Sequence, residues 1–530
     1  FNHQRATTSF AACLDIFVRF FLAMTQSNLR RALLATAVAV AFGLCLGVSK
    51  DISFSVALQT PVAGFGRPSR AVVDNSYQRS QKLSRQLLVL QSTRKSRSKA
   101  VRKAAEEVKL SSVRQSTVNL VKNIVGAGML SLPAGVAAFS SSPQAVLPSL
   151  ILALLAAFFS AYGFVLIAEA CATTGETTYT RVWAKTVSSS TQFLPAIACL
   201  AKAAIGCIAF SMILGDCISL MMSPLHLPAM IASRDSVILI ITALVLYPLC
   251  SMKSFAPLAK FSLLGVLSNF YICAFIALRC ADGTYAKGGM LFSAAPAAPK
   301  FIATHGSIWS TLLHPGISVL LSILATAYLA HYNAPLFYEQ LAPDEKTGKK
   351  DRRFFIVSVL GFGISGLIFC LVLGGGFLTF GQASMGLILN NYAATDGLAV
   401  LARAAIVLSL VTAYPLVFLS LRKQVVEILG SKGAKFAEEK PRLSTVILLA
   451  GVTAIALRLR NLGVVAALAG ASLGTFLVYV APALMILGAQ SRGLAPRPKG
   501  LGGIFARAVQ IFLVPLGLGL GVIGSVHSLK

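Results

Sequence analysis

Charge is scarce in this chain, and negative charge scarcest. Asp and Glu together number 18 among 530 residues, and charged residues of both signs make up 12%. Soluble domains carry roughly one quarter, so an ordinary water-exposed globular surface is excluded. No nucleophile elbow, phosphate loop or clustered His/Cys spacing stands in the sequence, which argues against an enzyme, a metal site or a cofactor. The ten cysteines are scattered, mostly through apolar runs, and read as small packing residues rather than a disulfide framework. What remains is apolar: hydrophobic residues make up 56% and the mean hydropathy is +0.76. The fold class is therefore an all-α polytopic membrane protein whose partner is the lipid bilayer. The net charge of +29 does not call for nucleic acid, because Lys and Arg fall in the N-terminal segment and in alternate loops, as the positive-inside rule distributes them.

Residues 1–116 read as a basic, mostly disordered leader. Phe1 at position one suggests a gene-model fragment, with Met24 as a start, since Arg30 and Arg31 precede an apolar run at 32–48. That run is short for a span and resembles a signal-peptide core or signal anchor. Residues 50–114 are rich in Ser, Lys and Arg, with Asp51, Asp74, Glu106 and Glu107 their only acids. This composition fits an organelle-targeting leader or a cytosolic tail that touches anionic lipid. The membrane itself stays open between vacuolar or other endomembrane, plasma membrane and plastid.

From Thr117 eleven apolar segments follow, near 117–139, 145–172, 193–222, 237–250, 261–278, 317–341, 354–380, 398–421, 444–457, 462–487 and 505–526. With the N-terminus cytosolic, the inner loops hold eighteen Lys and Arg. The outer ones hold six: Arg234, Arg279, Lys287, Lys300, Arg458 and Arg460. That asymmetry sets an N-in, C-out arrangement.

Two segments interrupt themselves. In the first, Gly126, Gly128 and Pro133 break a helix near the membrane midplane, and the sixth carries His331, Asn333 and Pro335 at the matching place. Segments one to five (117–278) and six to ten (317–487) are nearly equal in length. Five is odd, so the second set enters from the opposite side, the condition for an inverted 5+5 repeat plus one extra helix at 505–526. One broken helix alone reads equally as a silent kink; two at equivalent positions read as a binding site.

The stretches 123–133 (NIVGAGMLSLP), 331–341 (HYNAPLFYEQL), 403–422 and 470–487 resemble the amino acid/auxin permease family. That family includes sodium-coupled neutral, proton-coupled and vacuolar amino acid transporters. The likeness covers 117–526 and implies eleven transmembrane helices in a leucine-transporter-type fold. It also implies secondary active transport of small, neutral amino acids by alternating access. Amides around Gly126, Ala127 and Gly128 would receive the substrate carboxylate, carbonyls of the second break its ammonium, and Tyr328, Tyr332 and Phe337 its side chain, unless these aromatics simply pack. Arg403 matches the family motif as an anchor to an acid or to carbonyls, and Pro415 marks the eighth segment.

Coupling departs from part of that family. Sodium-coupled members have an Asn four residues before the first Gly of the break and a Thr on segment eight; here those places hold Lys122, and Val411 and Ala413, with Thr412 out of phase. An ammonium cannot ligate a cation, and the proton-coupled members hold a Lys at the matching place, so the resemblance implies a proton-coupled or uncoupled carrier, with protons as the expected coupling ion and Lys122 and His331 as candidates. The plainer readings are a snorkelling lysine and a structural histidine. Lys202 and Asp216 on segment three read as a buried pair or as interfacial groups. The alternative function is a membrane sensor that binds an amino acid without net transport.

Overall fold

The structure is a computed structural model that describes residues 110–252, 256–302, 314–344, 347–497 and 500–529. The expectations for the leader up to residue 109, including the run at 32–48, lie outside the described residues. The first helix, α1 (Val113–Ile124), starts a turn earlier than hydropathy alone predicts. Ser112 and Gln115 form a capping box there, with Gln115 N–H donating to Ser112 Oγ at 3.2 Å and Ser112 N–H to Gln115 Oε1 at 3.1 Å. The helix stops where Val125 and Gly126 become extended, and a 3-10 turn, Ala127–Ser131, leads into α2 (Leu132–Ala137). Pro133 lies in the first turn of α2, where its missing N–H leaves no bond unmade. The two arms meet at 44°.

The chain continues through α3 (Val146–Thr174), the short α4 (Tyr179–Thr186) and α5 (Phe193–Met222). Next, α6 (Arg234–Ile241) passes through a π turn into α7 (Tyr247–Cys250), and α8 (Ala256–Asp282) follows. The second interrupted segment is α9 (Ile317–Ala327), a 3-10 turn at His331–Asn333, and α10 (Ala334–Gln340), again with its proline, Pro335, in the first turn. The remainder is α11 (Asp351–Phe380), α12 (Gly397–Glu439), α13 (Pro441–Arg458), α14 (Leu462–Ala469), α15 (Ala481–Ser491) and α16 (Gly500–Ser528). Two π turns, Gly470–Gly474 and Phe476–Val480, join α14 to α15.

Among the described residues, nine helices are long and apolar enough to cross a membrane, or ten with the bent α1–α2 pair counted as one. The run at 234–250 is helical throughout but shorter, about 26 Å at 1.5 Å per residue. Helix α12 outlasts its expected apolar segment, and its regular course ends at Gly430, where φ is 62°.

Small residues let backbones touch where lipid gives no hydrophobic drive for helix association. A Cβ on Gly470 would strike the Ser322 carbonyl of α9, and one on Gly163 of α3 would lie 2.5 Å from the Val478 carbonyl. Arg403 of α12 is wholly buried and binds carbonyls rather than an acid: its guanidinium donates to Tyr392 O at 2.6 Å, Leu389 O at 2.9 Å and Ala393 O at 3.3 Å. It thereby fixes the connection between α11 and α12. Asp396 caps α12 at its Leu398 and Ala399 amides and takes Arg279 of α8 at 2.6 and 2.9 Å, with the Tyr285 hydroxyl at 2.9 Å.

Candidate functional site

The two breaks meet. A Cβ on Gly128 would lie 3.4 Å from Ala327 Cα, the last residue of α9. Asn333 Nδ2 of the second break donates to Asn123 Oδ1 at the end of α1 at 3.3 Å. The ends away from the breaks are tied as well. Ser111 N–H donates to Gln340 O at 2.8 Å and Ala342 N–H to Ser111 O at 3.0 Å, while Lys350 Nζ caps α10 through Glu339 O at 2.7 Å and Tyr338 O at 3.2 Å. Lys350 lies just before α11, and burial lowers its pKa while the nearby Glu339 opposes that shift.

Polarity differs between the breaks. Met129 N–H reaches back to Gly126 O at 3.2 Å, but the amides of Gly126, Ala127 and Gly128 donate to no acceptor among the described residues. On the other side, Tyr328 N–H closes on Leu324 O and Ala330 N–H on Tyr328 O, whereas the Ala327 and Leu329 carbonyls accept from no donor among the described residues. Free backbone groups at membrane depth occur where they line a cavity or a ligand site. Ser131 Oγ and His331 Nδ1 are also buried there without a protein partner among the described residues.

The predicted site residues separate by environment. Gly126 faces open space, with none of the described residues within 4 Å of where a Cβ would lie. Tyr332 and Phe337 are half-buried; the Lys202 ammonium lies 5.9 Å above the Tyr332 ring, and Phe337 meets Phe164 edge-on at 6.1 Å. Tyr328 is fully buried, its hydroxyl donating to Ala153 O at 3.1 Å and its ring 4.8 Å from Phe369. His331 is fully buried too: its Nε2 lies 2.8 Å from Ser160 O, between the rings of Phe164 at 5.7 Å and Phe362 at 5.6 Å. Lys122 instead lines a cavity of about 30 Å³ toward α8, so the two coupling candidates have different neighbours.

Lys202 and Asp216 do not pair. Asp216 takes Arg234 Nε at 2.5 Å and Asn390 Nδ2 at 3.1 Å. The hydroxyl of Thr412 is spent on its own helix, donating to Ser409 O at 2.9 Å and Leu408 O at 3.1 Å.

Sequence reasoning missed two residues of the site. Asn123 joins the breaks, and Asn269 of α8 donates through Nδ2 to Val125 O, the last carbonyl before the first break, at 2.9 Å. A lone carboxamide within an apolar segment was the available signal for Asn269.

The chain matches the family model of transmembrane amino acid transporter proteins over residues 109–528. It belongs to that family. It is 25% identical to solute carrier family 38 member 8 of Mus musculus over 398 residues, 72% of this chain and 86% of that one. It is 24% identical to vacuolar amino acid transporter 2 of Saccharomyces cerevisiae over 397 residues, 71% and 76% of the two chains. Relatives from Danio rerio and Mus musculus at 24% and 23% identity carry sodium-coupled neutral amino acid transport in their names. Among solved structures, the chain resembles MhsT in complex with L-phenylalanine at 14% identity and a TM-score of 0.48, over 77% of this chain and 98% of that one. The protein is thus an integral membrane protein of an amino acid transporter family, and not an enzyme.

Proposed function

We propose that the protein is a secondary active transporter that moves small, neutral amino acids by alternating access, with protons as coupling ion. The carrying observation is the opposed polarity of two touching breaks, free amides at Gly126, Ala127 and Gly128 against free carbonyls at Ala327 and Leu329. An amino acid zwitterion offers a carboxylate to the first set and an ammonium to the second. A neutral site pays little to desolvate a ligand whose own charges it satisfies. Tyr332 and Phe337 border the side-chain end, Tyr328 backs them from the core, and His331 braces the second break against α3.

The architecture in this reading is the leucine-transporter-type repeat, with 117–278 and 317–487 as its halves and 234–250 as the eleventh crossing, the N-terminus cytosolic and the C-terminus extracytosolic. Proton coupling rests on Lys122 standing where sodium-coupled members hold an Asn, and on Val411 and Ala413 standing where those members hold a Thr. The test is uptake of radiolabelled neutral amino acids into vesicles holding the purified full chain. Accumulation that follows an inward proton gradient and ignores sodium is expected. Uptake abolished by sodium removal and indifferent to pH would refute the coupling, and saturable binding without flux would make the protein a sensor.

A further inference from the structure

The first break is held from outside its own helix by a carboxamide whose other end is buried and unsatisfied. Asn269 of α8 donates through Nδ2 to Val125 O at 2.9 Å, while its Oδ1 meets no partner among the described residues. The assignment of the two ends is forced, since a flipped amide would set oxygen against oxygen. Asn269, Val125 and Lys122 line the same cavity of about 30 Å³, walled otherwise by apolar groups such as Val121, Phe270 and Ile368. A space of that size admits one water. Among the described residues, Cys273 of α8 is the one further titratable group in its lining, α11 contributes only Ile368, and no carboxylate lines it.

We propose that Asn269 is a positioning residue that transmits the charge state of Lys122 to the first break. This rests on the reading of Lys122 as the coupling group. A charged Lys122 donates toward Asn269 Oδ1 across the cavity, directly or through one water. Donation to the oxygen of an amide polarises its N–H, because hydrogen bonds in a chain reinforce one another at low dielectric. The bond to Val125 O tightens and holds the end of α1 against α8. When Lys122 gives its proton to water, its neutral amine is a much weaker donor to Oδ1, the hold on Val125 weakens, and the half-helix bearing Gly126 is free to shift. Proton occupancy thereby becomes a position of the substrate amides.

The test is the pH profile of uptake for a mixture of radiolabelled neutral amino acids, measured on the full chain in vesicles over about pH 5–9. Asn269→Asp sets a carboxylate beside Lys122, which favours the ammonium, so the midpoint moves up by about one pH unit or more. The same change in a Lys122→Met background produces no shift. Asn269→Leu flattens the profile to within about twofold between its extremes of pH. If both Asn269 variants keep the original midpoint and steepness and merely lose rate, Asn269 is structural and the proposal fails alone. If the unsubstituted chain shows no pH dependence, or no uptake, the coupling reading fails and takes the proposal with it. Should Asn269→Leu not elute as a folded species, the Asn269→Asp midpoint decides.

Discussion

At the scale of single residues, Gly126 and Gly128 make different demands. Gly126 has negative φ and open space around it, so Gly126→Ala should fold normally. If the substrate carboxylate approaches its amide, the added methyl still lowers apparent affinity; unchanged affinity would move the carboxylate elsewhere. Gly128 touches Ala327, so Gly128→Val wedges the breaks apart, and binding should fall by about tenfold or more, some 1.4 kcal/mol. Arg403 gives a contrasting case, because its role is structural. Arg403→Leu strands three carbonyls at about 1–3 kcal/mol each, so the purified protein should lose thermal stability sharply. Arg403→Lys should recover only part, since one ammonium cannot reproduce the fork. The glycines and prolines of the breaks were legible because they alter the backbone directly. Asn123 and Asn269 were not, since their meaning lies in partners 210 and 144 positions away.

At the scale of elements, the sequence marks where helices break better than where they end. Pro133 and Pro335 announce the restarts of α2 and α10, but the extra turn of α1 depends on a cap at Ser112 that hydropathy does not register. The stretch of α12 beyond its apolar segment is equally invisible to hydropathy until Gly430 breaks its course. The join of α8 to α12 yields a pH prediction. Burial alone would raise the Asp396 pKa, yet Arg279, Tyr285 and the Ala399 amide together hold it below its ordinary 3.8. A carboxylate with a lowered folded pKa adds stability that is present above the unfolded value and lost as pH falls through the folded one. Thermal stability of the full chain should therefore drop below about pH 4. In Asp396→Asn the neutral-pH stability should already be lower and this acid drop shallower; an identical acid profile in both would deny Asp396 the role.

At the scale of the whole molecule, composition made a polytopic helical membrane protein plain, because 12% charged residues cannot clothe a soluble surface. The pairing of segments one and six was legible through their matching interruptions, and the breaks do lie against each other. The crossing count was harder to read, since residues 234–250 form a helix near the limit of bilayer thickness. Charge counting predicts that cysteines placed singly in the 283–302 loop react with an impermeant thiol reagent from outside the cell or from the lumen, and that cysteines in the 347–350 loop do not; the reverse pattern would invert the topology.

The claim on which the rest depends is that two touching breaks of opposite polarity read both ends of an amino acid. Competition against uptake of a radiolabelled neutral amino acid, using the free amino acid, its methyl ester and its N-acetyl derivative, tests it directly. The free zwitterion should compete, and each blocked form should lose about tenfold or more, the loss of one charge-assisted contact of at least 1.4 kcal/mol. Competition by the ester or the N-acetyl compound as strong as by the free amino acid would contradict the account.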